Sequence, residues 1–474
     1  MTTDHPSAAS PIVAGMTVTV MGIGRFGGGA GVVRHLLDQG CRVIATDLLD
    51  EASLGDMVAQ LRSHPAAERL ELRLGRHEIR DFTEADLVVA NPAVPRPSES
   101  AFLNAARARG VPITTEIRLA VDALPKRRFV GVTGSSGKSS TASMIHHALE
   151  HLGVPTALGG NIGGSLLDEA PNIADQAWVV LELSSFMLHW LGEDRRPWSP
   201  QLAVLTNLAP NHLDWHGDLP SYVRAKAEII AHRPDAKLLT AFHREHPTVS
   251  QTMAEASGDW WSAPARETER HWHDVDPDAI DLKVLGSHQR RNARLALAAV
   301  KAILEIDALD HERATLHRSL GEFAGLPHRL QLLPPMRRMP GVRFIDDSKS
   351  TTPDATLLAI EALEDPSRVH LIAGGADKGA DLAAIRGQAP SLAGLYAIGA
   401  VSTSLVEGGP SGERSRLSGT LRQAIDDAMP KLRDGDTLLL SPGCASWDQF
   451  SDYRERGKAF AAEIERRDHD RSTP

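Results

Sequence analysis

Three observations predict an α/β protein built on parallel sheets. Apolar runs of strand length alternate with amphipathic stretches of helical length almost from end to end, the pattern of sheets covered by helices. Several of these runs empty into polar, glycine-bearing turns that open a helix, as strand ends do in such sheets. At 474 residues the chain also exceeds what one hydrophobic core usually supports. Length alone suggests roughly three domains, and Pro-containing or basic linkers divide the chain into 1–125, 126–326 and 327–474.

The first segment begins with a strand over 17–21, a glycine-rich turn over 22–29, a helix over 30–39 and a strand over 42–46 that ends at Asp47. In the second, a strand to Thr133 runs into the loop 134–137 and a helix over 138–152. Strands over 177–183 and 203–207 follow, with a helix over 222–232. A further helix over 287–304 carries Leu295, Ala298, Ala299 and Ile303 on one side. The third repeats the rhythm with strands over 342–345, 369–373, 395–398 and 437–440. No fixed-period repeat or low-complexity block interrupts it.

Composition narrows the class. Apolar residues make up 42% and charged residues 24%, which excludes disordered and collagen-like chains. A net charge of −10 offers no basic field for nucleic acid, so an anionic ligand must be held by locally placed lysines and arginines. The two cysteines, Cys41 and Cys444, form no disulfide framework, which suits a reducing compartment. The N-terminus lacks the basic and apolar regions of a secretory signal, and no apolar run is long enough to span a bilayer. A cytoplasmic protein with no membrane and no nucleic-acid partner is expected.

The most informative motif is Gly134-Ser135-Ser136-Gly137-Lys138-Ser139, lying between a strand and a helix. Small residues there let backbone N–H groups turn inward around phosphate oxygens, and the helix N-terminus adds a favourable dipole. Lys138 would neutralise terminal phosphates, while Ser139 would offer a hydroxyl to magnesium. The usual loop has glycine five positions before Gly137, where this chain has Val132.

Other strand ends carry chemistry too. Gly22-Ile-Gly24-Arg25-Phe26-Gly27 matches a dinucleotide fingerprint, with Asp47 where a ribose-binding acid would sit. It would present a helix N-terminus to the diphosphate of NAD, FAD or a UDP-sugar alike. Glu182 closes an apolar run on the side where ligands gather and suits a magnesium ligand. The segment from Asn207 to His216 packs two histidines, an acid and two amides after a strand, pointing to metal or phosphate contacts, His212 ahead of His216. Lys226, by periodicity alone, reads as a solvated helix lysine. Three further clusters, Asp347 to Thr351, Gly374 to Asp381 and Ser441 to Phe450, are expected to converge into one binding edge.

With these segments in hand, the chain resembles the Mur ligase family of peptidoglycan precursor synthesis over nearly its full length. The matching stretches include Gly134 to Ser139, Gly160-Asn161-Ile-Gly163, Glu182 to Phe186, Asn211 to His216, Ala225-Lys226, His288 to Asn292 and Gly325 to Arg329. They continue through Asp347 to Lys349, Gly374 to Lys378 and Ser441 to Gly457, the last being closest to the glutamate-adding branch. The resemblance implies a Rossmann-like N-terminal domain holding a UDP-substrate, a central P-loop ATPase-type parallel-sheet domain, and a Rossmann-like C-terminal domain carrying the amino acid.

It also implies residue roles. Gly134, Ser135, Ser136, Gly137, Lys138, Ser139, Ser140, Asn292, Arg329 and Asp347 would bind ATP. Lys226, carbamylated, would join Glu182 and His212 on one of two Mg2+ ions, with Ser139 on the other; Lys138, Lys226, His212 and Glu182 would form the catalytic group. Gly24, Arg25, Phe26, Asp47 and Asn161 would hold the UDP-substrate, and Thr351, Lys378, Ser446 and Tyr453 the glutamate. The implied reaction is ATP-dependent addition of glutamate, D-glutamate foremost, to UDP-N-acetylmuramoyl-L-alanine through an acyl phosphate. The setting would be cytoplasmic cell-wall synthesis, linked to cell shape and division, and the enzyme a monomer. Alternatives are the L-glutamate-adding variant, a nicotinamide-dependent oxidoreductase built on Gly22 to Asp47, and a non-catalytic sensor of UDP-muropeptide and ATP.

Overall fold

A computed structural model describes residues 12–24, 27–124, 126–193, 196, 198–232, 237–240, 280–306, 313–377, 379, 381–407 and 414–469. Arg25, Phe26 and Lys378, expected at the UDP and glutamate sites, lie outside the described residues.

Three sheets organise what is described. The first orders β1 (Thr17–Met21), β2 (Arg42–Asp47), β3 (Leu70–Leu74), β4 (Leu87–Ala90) and β5 (Ile113–Thr115) as β3-β2-β1-β4-β5. The second comprises β6 (Arg128–Thr133), β7 (Thr156–Gly160), β8 (Trp178–Glu182), β9 (Leu202–Leu205) and β10 (Lys237–Thr240), ordered β10-β9-β6-β8-β7. All pairings in these two sheets are parallel. Helices cover such sheets on both faces, so their strands read as continuous apolar runs; β8 and β9 are buried at every position.

The third sheet takes β11 (Gln331–Leu332), β12 (Arg343–Asp346), β13 (Val369–Gly374), β14 (Gly394–Ile398), β15 (Ser415–Gly419) and β16 (Thr437–Leu440) in the order β11-β12-β16-β13-β14-β15. It departs from the all-parallel expectation at one edge, where β11 runs antiparallel to β12. A two-residue strand is too short to show a period.

Three domains were expected; the chain groups into two compact units, one from 1–279 with 292–320, the other from 280–291 with 321–474. The first two sheets share a unit because one apolar core runs through both, from Val18 and Leu36 to Leu166, Leu181 and Ile229. Polar contacts reinforce it: Arg34 pairs with Asp168, and the Ser165 hydroxyl donates to Glu116 Oε1 at 2.6 Å. Among the described residues no helix is long and apolar enough to cross a membrane.

The Leu219–Ala231 helix positions much of the site. Asp218 caps it by accepting the Ser221 N–H at 2.7 Å, and a proline in its first turn is pre-set for helix entry. Its buried stripe includes Tyr222, Lys226 and Ile230, successive residues at i, i+4 and i+8. Lys226 therefore lies on the core face, and is 1% exposed rather than solvated as periodicity suggested.

Candidate active site

β6 is the middle strand of the second sheet, and the phosphate-type loop leaves its carboxyl end directly into the Lys138–His151 helix. Gly134 sits at φ 149°, and a Cβ there would fall 1.9 Å from Thr206 Oγ1, so only glycine fits. The Thr206 hydroxyl donates to the Ser136 carbonyl. Asn207 holds the loop from the next strand end: its Oδ1 accepts the N–H groups of Ser135 at 3.1 Å and Ser136 at 2.9 Å, and its Nδ2 donates to Ser136 Oγ at 2.8 Å. Lys138 bends back over the loop and donates from Nζ to the carbonyls of Gly134 at 3.1 Å and Ser135 at 3.2 Å. Ser139 and Ser140 are buried in the first helical turn. Asn292 lies beside the loop, its Oδ1 2.5 Å from where a Cβ on Gly137 would stand.

Lys226 reaches the same loop from below, donating to Thr133 Oγ1 at 3.1 Å and the Gly134 carbonyl at 2.8 Å, with its Nζ 4.9 Å from the centre of the Tyr222 ring. Burial, helped by the nearby Lys138 charge, pushes its amine well below the usual lysine range, against the pull of Glu182. Glu182, 2% exposed at the end of β8, accepts from Asn161 Nδ2 at 3.1 Å through Oε1, while its buried Oε2 has no hydrogen-bond partner among the described residues.

His212 adopts φ 53°, a left-handed conformation that costs a non-glycine residue about 1–3 kcal/mol and persists only where its surroundings enforce it. Burial and the Lys138 charge lower its pKa, keeping the imidazole neutral and able to ligate a cation. His216 is differently employed. Its Nε2 meets Ser185 Oγ at 2.9 Å and its ring packs on Trp215 and Tyr222; burial takes its pKa down to about 4.

Among the described residues no three His, Cys, Asp or Glu side chains gather to hold a metal ion. The donor set nevertheless fits one if Lys226 supplies the missing anion. A deprotonated amine is the form that adds carbon dioxide to give a carbamate, and Glu182 already presents an oxygen without a partner.

At the first glycine turn Asp47 differs from the ribose-facing acid expected from spacing. It is buried and spent on the backbone, Oδ2 accepting the Gly24 N–H at 2.9 Å and Oδ1 the Leu49 N–H at 2.8 Å. Asn161 follows β7, with its own N–H on the Glu182 carbonyl at 2.8 Å.

In the second unit the three polar strand ends do converge, because β12, β16 and β13 are neighbours. The Gly374 N–H donates to the Pro442 carbonyl and the Ala376 N–H to that of Ala445, each at 2.8 Å. Asp347, expected at the nucleotide, is buried: Oδ1 accepts the Leu330 N–H at 3.1 Å and Oδ2 the Ser441 hydroxyl at 2.7 Å. Burial pushes its carboxyl up to about 6 despite those bonds. Arg329 is half-buried beside it in the same unit. Thr351 is exposed, Ser446 buried, and Tyr453 opens the Tyr453–His469 helix with Lys349 Nζ 5.7 Å from its ring centre. Sequence reasoning missed the hold of Asn207 on the loop and the burial of Arg456 in the second unit. The only signal for Asn207 was an amide directly after a strand, and Arg456 stood in a matching stretch without a role.

Comparison with known proteins agrees with this architecture. Residues 132–300 match the Mur ligase middle domain, and residues 328–444 match the Mur ligase glutamate ligase domain. The chain belongs to the Mur ligase family. It is 35% identical to the UDP-N-acetylmuramoylalanine–D-glutamate ligase of Roseiflexus sp., over 96% of this chain and 99% of that one. It is 30% identical to the ligase of the same name from Desulfatibacillum aliphaticivorans, over 91% and 94%. In fold it is similar to the MurF ligase of Thermotoga maritima, solved in complex with ADP, with 17% identity, a TM-score of 0.55 and 97% of each chain covered.

Proposed function

We propose that the chain is an ATP-dependent amide ligase that joins glutamate, D-glutamate foremost, to UDP-N-acetylmuramoyl-L-alanine in cytoplasmic peptidoglycan precursor synthesis. The observation that carries this reading is the pair of lysines, Lys138 and Lys226, gathered on the Gly134 carbonyl of a phosphate-type loop beside Glu182. A lysine whose amine burial drives well below its usual range, set beside a carboxylate on a phosphate-type loop, suits turnover rather than binding alone. The names carried by the relatives support the substrates.

Residues 1–125 serve the UDP-substrate, 126–326 ATP and 327–474 glutamate. The alanyl carboxylate attacks the γ-phosphate of ATP, giving an acyl phosphate and ADP. The Lys138 ammonium and the loop N–H groups offset the charge that develops on the moving phosphoryl group. Glutamate then attacks through its amine, and the tetrahedral intermediate collapses to an amide and phosphate. Glu182, His212 and carbamylated Lys226 would hold one Mg2+, and Ser139 the other; these ions would supply Lewis-acid stabilisation of phosphoryl oxygens. Asn292, Arg329 and, through the Leu330 turn, Asp347 serve the nucleotide. The Gly22–Gly27 turn, which Asp47 fixes at Gly24, serves the UDP-substrate with Asn161. Thr351, Lys378, Ser446 and Tyr453 receive the amino acid.

The test is phosphate release from ATP with UDP-N-acetylmuramoyl-L-alanine, offering D-glutamate, L-glutamate, L-alanine and diaminopimelate in parallel. Release that needs both the acceptor and glutamate, fastest with the D-enantiomer, is the expected result. Faster release with L-glutamate would reassign the enantiomer, and ATP left unconsumed by every combination would overturn the reading.

A further inference from the structure

Arg456 is an anomaly in the second unit. It is 1% exposed, among the largest fully buried side chains, and it stands in the first turn of the Tyr453–His469 helix. A cation there faces the positive end of the helix dipole and has lost its water, so both location and burial oppose it. Burial takes its pKa down to about 10, which leaves it charged at neutral pH. Specific bonds must compensate, and they connect separate strand ends. Nε donates to Ser348 Oγ at 3.0 Å; Nη2 donates to the Ser348 carbonyl at 2.9 Å and to the Cys444 carbonyl at 3.1 Å. The Ser348 hydroxyl in turn donates to the Tyr453 carbonyl at 2.8 Å.

The guanidinium thus ties together the turn after β12, the turn after β16 and the start of the last helix. Its Nη1, buried and without a hydrogen-bond partner among the described residues, lies 3.2 Å from where a Cβ on Gly375 would stand, so it also abuts the turn after β13. Each turn carries one proposed glutamate contact: Thr351 is three residues beyond Ser348, Ser446 two beyond Cys444, and Tyr453 is itself an acceptor in the network. Lys378 follows Gly375 in the sequence.

We propose that Arg456 is a positioning residue for the incoming amino acid, holding the Ser348, Cys444 and Tyr453 segments at the spacing that lets Thr351, Ser446 and Tyr453 grip one ligand together. The inference rests on the glutamate reading of those three residues. A planar fork with several fixed donors suits this task, whereas an ammonium cannot reach three acceptors in the same geometry.

The experiment measures initial rates of Arg456→Lys, Arg456→Ala and Ser348→Ala against each of the three substrates in turn. Misplacement of the gripping groups should raise the KM for glutamate about tenfold or more, with the KM values for ATP and the UDP-substrate unchanged within about twofold. Guanidinium ion added to Arg456→Ala should lower the glutamate KM again, and urea at equal concentration should not. If Arg456→Ala does not fold, Ser348→Ala carries the test, since it removes one acceptor and keeps the buried charge. Equal rises in all three KM values, or an unchanged glutamate KM in folded Arg456→Lys and Ser348→Ala, would overturn the proposal. A wild-type protein that uses another amino acid in place of glutamate sinks the glutamate reading instead. Arg456 is then upheld if the same KM split appears for that amino acid, and overturned if it does not.

Discussion

Lys138 and Lys226 donate to the same carbonyl oxygen, that of Gly134, at 3.1 and 2.8 Å. Two ammonium groups converging on one acceptor repel each other, and Lys226 is the more deeply buried, so it is the one driven toward the neutral amine. Lys226→Arg, which stays charged and cannot form a carbamate, should lose activity by about a hundredfold or more. Lys226→Ala should fall as far and recover in part when a short carboxylate such as acetate is supplied. Steady-state rates with and without the carboxylate check this; near-normal activity in Lys226→Ala would remove the residue from the site.

Removing the other lysine separates the two halves of the reaction. Lys138→Ala should abolish phosphate transfer, a loss of about a hundredfold or more for a group that meets charge developing in the transition state. Affinity for the UDP-substrate, measured by calorimetry without ATP, should stay close to that of the wild type, because Gly24 follows β1 and the Asp47 that holds it ends β2, both in the first sheet, whereas Lys138 follows β6 of the second. Loss of both would contradict the assignment of the two sites.

Legibility in the sequence followed the range of the interactions. The loop 134–137 could be read because a strand, a glycine-rich turn and a helix start are contiguous, and β1, β2 and β16 announced themselves as short runs rich in β-branched and aliphatic residues. Lys226 could not be read. Its partners Thr133 and Gly134 lie 93 and 92 positions away, and the flanking Val223, Ala225, Ala227, Ile229 and Ile230 leave no clear polar face to place it on. Asn207 is similarly remote from the loop amides it holds. Alternation of strands and helices predicts sheets but not which sheets share a core. That depends on contacts such as those of the Gly28–Asp38 helix with Ser165 and Asp168, which no period encodes.

Asn161 and Glu182 are joined twice, by Nδ2 to Oε1 at 3.1 Å and by N–H to carbonyl at 2.8 Å. Gly160 makes that possible: at φ 86° its α-carbon passes so close to β8 that a Cβ would stand 2.3 Å from the Glu182 carbonyl oxygen. Gly160→Ala should therefore force β7 and β8 apart at the site, costing about 1–3 kcal/mol of stability. Activity should fall further than stability does, since Glu182 and Asn161 move together. Urea denaturation beside an activity assay at a temperature where the variant remains folded tests the pair of effects; an active, equally stable variant would show that the approach relaxes freely.

Asp347 should leave a signature in the pH dependence of stability. Its folded carboxyl holds a proton up to about 6, whereas the same group in the unfolded chain releases it near the ordinary aspartate value of 3.8. Between those values the folded state binds more protons than the unfolded one, so this group's contribution to stability is retained below about pH 4 and declines as pH rises through 6. The decline is at most about 3 kcal/mol, taking 1.36 kcal/mol per unit. Asp347→Asn keeps an oxygen for the Leu330 N–H and carries no proton to lose, so it should lack this decline. Urea midpoints of both proteins at pH 4.5 and 7 provide the check. The stability difference between variant and wild type should shift in the variant's favour on going to pH 7, and a difference independent of pH would show that Asp347 titrates alike in both states.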